Sequence, residues 1–61
     1  MSMTRKDFAL IAEAIRLSYI IADEPGDTHG ISMTETAIAN VLAREYPRFD
    51  RDRFVAACNA V

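Results

Sequence analysis

Tryptophan is absent, cysteine and histidine occur once each, and glycine and proline only twice each in these 61 residues. The lone cysteine, Cys58, excludes an intrachain disulfide, a common support of small secreted domains, and points to a reducing compartment. No apolar run approaches the roughly 18 residues that span a bilayer, because Glu13 and Arg16 interrupt the longest candidate. Met1 to Lys6 lead into an amphipathic segment, not into the apolar stretch of a secretory leader, so the expected location is the cytoplasm. A basic excess is also missing, since 7 Lys and Arg stand against 9 Asp and Glu for a net charge of -2. Nonspecific grip on a phosphate backbone requires the opposite balance.

What remains is a chain that is 51% hydrophobic and long enough for a single domain over 1–61, with no room for a second functional module. A core of this size leaves only a few kcal/mol of net stability, roughly what one large core truncation removes. Its charge is unevenly placed. Residues 1–22 carry three bases and two acids, 23–35 four acids and no Lys or Arg, and 44–53 four Arg against three acids.

Helical periodicity and local capping signals organise the chain. Thr4 followed by Asp7 forms a capping-box pattern, with Met3 and Phe8 at hydrophobic-staple spacing, and opens a helix over about 5–22. Around this helix Leu10, Leu17, Ile21 and Ala14 run on into Ile11, Ala22, Ile15, Phe8 and Tyr19, an apolar arc of roughly 200°. The stretch Asp23-Glu24-Pro25-Gly26-Asp27-Thr28-His29-Gly30 combines a Pro-Gly turn signal with mutually repelling acids, and reads as a loop. Ser32 and Glu35 suggest a second capping box, followed by Ile38, Val41, Leu42 and Tyr46 at helical spacing until Pro47 ends the helix. Asp50 caps a third helix, whose Phe54, Ala57, Cys58 and Val61 share one side, with Phe49 and Phe54 as its staple. The expected fold is all-α: a small three-helix domain (about 5–22, 33–45 and 51–60) with a mobile acidic loop over 23–31.

Met3-Thr4-Arg5-Lys6-Asp7-Phe8 leading into Leu10-Ile11-Ala12, together with Pro47-Arg48-Phe49-Asp50-Arg51-Asp52-Arg53-Phe54 leading into Ala56-Ala57-Cys58, resembles a group of small uncharacterised helical proteins encoded by bacteriophages of mycobacteria and other actinobacteria. The likeness covers about residues 3–22 and 39–59, and the segment Asp23 to Glu35 has no counterpart in it. The resemblance implies a phage product acting in the cytoplasm of a bacterial host. It carries no activity and no site residue across.

Chemistry-bearing side chains are sparse. His29 with Asp23, Glu24, Asp27 and Glu35 offers nitrogen and oxygen donors, but at the spacing of neither an EF-hand nor a zinc pair, and a solvated acidic loop accounts for them. Cys58 and His29 lack the third orienting group and the sheltered cleft of a nucleophilic site. The chain therefore reads as a non-enzyme with no metal or other cofactor. Arg44, Arg48, Arg51 and Arg53 flank the short joint between helices 2 and 3, the outline of a helix-turn-helix reader of nucleic acid, although Asp50 and Asp52 oppose phosphate there. Helix 1 is the more informative element. Helices of about 13 and 10 residues reach near 20 and 15 Å, against about 27 Å for helix 1, so part of its arc should stay uncovered. The leading expectation is a protein-interaction module that binds a host or phage protein, with Leu10, Leu17, Ile20 and Ile21 as anchors and a homodimer as one form of the contact. Nucleic-acid binding through the four Arg and a purely structural role in a larger assembly are the alternatives.

Overall fold

A computed structural model describes residues 3–22 and 24–60 and contains three helices: α1 (Arg5–Ile21), α2 (Pro25–Glu45) and α3 (Arg51–Cys58). No strand occurs among the described residues, and the all-α three-helix domain expected from periodicity is what forms. Asp23 and Val61, named above for the loop and for helix 3, lie outside the described residues.

Local chemistry starts α1 and α3 as read. The Thr4 amide donates to Asp7 Oδ2 at 2.8 Å and the Asp7 amide to Thr4 Oγ1 at 3.3 Å, which closes the capping box and satisfies two otherwise free backbone donors. Asp50 Oδ1 accepts from the Arg53 amide at 3.1 Å, and the staple pair Phe49 and Phe54 stand 5.3 Å apart between ring centroids. Between α2 and α3, Tyr46 takes an extended conformation before Pro47, and a tight turn closes through the Phe49 amide and the Tyr46 carbonyl at 2.9 Å.

Helix α2 corrects the reading of the middle of the chain. It spans 21 residues from Pro25, so residues 25–31 are helix and not a mobile loop, and the connection from α1 shrinks to 22–24. Proline at the first helical position has no amide to lose and a ring that presets the backbone, so Pro25 starts a helix here instead of making a turn. Asp27 adds a carboxylate to the first turn, where the helix dipole favours negative charge. Gly26 and Gly30 each cost up to about 1 kcal/mol relative to alanine, and packing offsets that cost. Ile31 lies against the core and continues the inward stripe of Glu35, Ile38, Ala39 and Leu42 one turn further back. The Ser32–Glu35 capping box does not form, because both residues sit inside the helix and Glu35 turns inward.

The core consists of Ala12 and Ile15 from α1, Ala39 and Leu42 from α2, and Phe54 and Cys58 from α3. An aromatic cap closes one end: Phe8 meets Tyr46 edge-on at 5.5 Å and Phe49 at 4.8 Å. At the other end the buried Glu35 joins all three helices. Its carboxylate accepts from the Tyr19 hydroxyl of α1 at 2.9 Å and from Asn59 Nδ2, just beyond α3, at 3.2 and 3.4 Å. No buried side-chain nitrogen or oxygen among the described residues lacks a partner.

Candidate functional site

Both companions of α1 pack on one side of it. Phe8, Ile11, Ala12, Ile15 and Tyr19 face inward, at the i, i+3, i+4 and i+7 spacing of a single helical face. Leu10, Ala14, Leu17 and Ile21 form a second apolar strip on the opposite side, and all four are exposed. Leu10 is 54%, Leu17 43%, Ile20 64% and Ile21 76% accessible. All four expected anchors are therefore uncovered, but not for the reason of length. At 21 residues α2 is longer than the 17-residue α1. Two neighbours on one side of a helix leave its far side bare however long they are.

The outer strip has a defined spacing. Leu10, Ala14, Leu17 and Ile21 are separated by four, three and four residues, the alternation that keeps side chains on one seam between paired helices. Ile20 extends the strip beside Leu17 at its C-terminal end. Met33 and Val41 are further exposed apolar residues, on the outer side of α2.

The four arginines of the joint do not share one surface. Arg44 pairs with its neighbour Glu45 at 3.5 Å, both well exposed, and Arg51 Nε donates to Asn40 Oδ1 of α2 at 3.0 Å. Arg48 and Arg53 instead border a groove of about 930 Å³ that runs between the start of α1 and the start of α3. Arg5 and Lys6 line the same groove from the α1 side. All four cations are exposed, and none has an acidic or hydrogen-bonding partner among the described residues. The sequence reading missed Arg5 and Lys6 as members of this group. The available signal was the staple, since Met3 and Phe8 on one helix and Phe49 and Phe54 on the other bring the two basic first turns together.

The remaining candidates are placed apart. His29 and Asp27 are exposed and two residues apart on α2, so their side chains diverge, while the Glu35 carboxylate is occupied in the interior. No group of three metal-ligating side chains gathers among the described residues. Cys58 is fully buried, and its thiol is pushed up to about 11, first by burial and then by the charge of Glu35. It stays protonated, and so unreactive, at neutral pH. Tyr19 is raised in the same sense, by burial and by its hydrogen bond to Glu35. Among the described residues no helix is long and apolar enough to cross a membrane. Comparison with protein-family models, with curated proteins and with solved structures finds no match to this chain.

Proposed function

We propose that this chain is a small helical protein-interaction module that pairs with a second copy of itself through the outer face of α1. The observation that carries the reading is the bare strip Leu10, Ala14, Leu17 and Ile21, extended by Ile20, on the side of the helix that its own domain does not use. A second copy suits the strip because the strip complements itself. In an antiparallel pair Leu17 of each protomer lies opposite the small Ala14 of the other, and Leu10 lies opposite Ile21. Lys6 and Glu13 border the strip along one edge and Asp7 continues it one turn before Leu10, so charge lies at its margin and not among its four central residues. The resemblance of the chain ends to phage-encoded helical proteins supports a bacterial cytoplasm as the setting, with a host or phage protein as the further partner.

Magnitudes set the strength of the pair. Full burial of a Leu or Ile contributes about 1.5–3 kcal/mol, so covering four that are roughly half exposed yields on the order of 10 kcal/mol for both protomers together. Association costs about 4–15 kcal/mol in lost freedom, which leaves a weak, concentration-dependent dimer. Sedimentation equilibrium from about 10 µM to 1 mM, a range that brackets weak dissociation constants, should show the mass rising from 6.8 kDa toward twice that value. Leu17→Glu should hold it at the monomer value. A wild-type chain that stays at 6.8 kDa throughout would refute the reading.

A further inference from the structure

We propose that the groove between the first turns of α1 and α3 is a second binding site, which takes an acidic, amphipathic peptide segment of a partner protein. Its floor is apolar, built from Met3, Phe8, Ala9, Phe49 and Ala57, and its rim carries Arg5, Lys6, Arg48 and Arg53. Four of the chain's seven Lys and Arg thus border one groove in a molecule whose net charge is -2. The one acid in the lining, Asp50, already accepts the Arg53 amide as the cap of α3. Three of these cations, Arg5, Lys6 and Arg53, stand in the first turn of a helix, where the dipole disfavours positive charge. Asp7 and Asp52 share those first turns, yet none of the four rim cations forms an ion pair with an acid among the described residues. A ligand that pairs with them brings carboxylates to the rim and bulky apolar side chains to the floor.

The aromatic rings argue for a peptide over a nucleic acid. Phe8, Phe49 and Phe54 pack against one another at 4.8 and 5.3 Å with tilted planes, so they form a continuous apolar wall and not separate platforms for stacked bases. The side chains of the floor, phenyl rings, methyl groups and a thioether, offer no hydrogen-bond donor to a base edge or a sugar. The volume of about 930 Å³ accommodates several side chains.

Fluorescence anisotropy with labelled probes tests this on the intact chain. The supporting result is that a peptide of about a dozen residues with interleaved Glu and Leu binds at least about tenfold tighter than its Lys-for-Glu and its Ser-for-Leu counterparts. Arg48→Glu combined with Arg53→Glu should weaken the acidic peptide by about tenfold or more. The new carboxylate at position 53 falls in a first turn, where it suits the helix, so helical circular dichroism should be unchanged. If that double variant does not fold, Lys6→Glu, also in a first turn, takes its place. Leu17→Glu, remote from the groove, should leave peptide binding intact even where it abolishes self-association. The proposal is overturned if the Lys or Ser peptide binds as tightly, if a DNA duplex of similar length binds more tightly, or if the rim variants bind the acidic peptide unchanged.

Discussion

Ile15 and Leu17 are two residues apart on the same helix and nearly identical in size and hydropathy, yet Ile15 is 8% accessible and Leu17 43%. Apolarity does not decide which of them is buried. What decides it is the direction in which the helix finds neighbours, and in a three-helix domain both neighbours of α1 lie on the side of Ile15. A helix that is apolar around much of its circumference would be enclosed in a larger protein. Here α2 and α3 cover one side of it and leave Leu10, Leu17, Ile20 and Ile21 exposed. The inner face of α1 therefore holds the fold together, and the outer face is available for association.

The largest expected effect lies on the inner face. Ile15→Ala removes side-chain volume from the cluster that Ile15 forms with Ala12, Ala39, Leu42, Phe54 and Cys58, the six buried apolar residues among those described. Such truncations cost about 2–5 kcal/mol. A domain of this size holds little more than that in total, so the variant should lose its cooperative thermal transition by circular dichroism. A sharp melt within a few degrees of wild type would mean that the inner face is not the one holding the fold.

An intermediate effect comes from the end of the core where Glu35 sits. The Cys58 thiol rises from 9.0 to about 11 in the folded protein, so the native state binds this proton more tightly than the unfolded chain does. Stability from that preference is complete below pH 9.0 and is lost as pH climbs through about 11. Tyr19, raised by burial and by Glu35, adds a loss in the same direction. The urea midpoint should fall across this window, and Cys58→Ala should flatten part of the fall. A midpoint in Cys58→Ala with the same slope as wild type would assign the whole effect to other groups.

The starts of α1 and α3 were legible because Thr4, Asp7 and Asp50 act on amides within three residues of themselves. That Leu10, Leu17, Ile20 and Ile21 stay uncovered was legible too, although α2 is not the short companion that the argument assumed. The start of α2 was misread because Pro25-Gly26 has two local meanings, a turn or a helix N-terminus. The choice between them is made by Ile31 packing on a core that forms only in three dimensions. Glu35 was misread for the same reason. A carboxylate three residues after a serine looks like a cap until Tyr19 and Asn59, 16 and 24 residues away, are brought to it. The groove was missed because its rim joins residues more than 40 positions apart, which no periodicity within one helix reveals.

The smallest expected change in stability belongs to Leu17→Glu, and it sharpens the contrast with Ile15 most. Leucine and glutamate have similar helix propensities, so the backbone of α1 is little affected. The side chain already faces water over much of its surface, and the buried core does not include it. Below the concentration at which the chain pairs, the variant should therefore melt within about 1 kcal/mol of wild type, as exposed substitutions generally do. At higher concentration the two should diverge, because mass action raises the wild-type midpoint through the dimer and leaves the variant where it was. A wild-type midpoint independent of concentration would remove the reason for calling the outer face functional. A variant already unfolded when dilute would show that Leu17 belongs to the core after all.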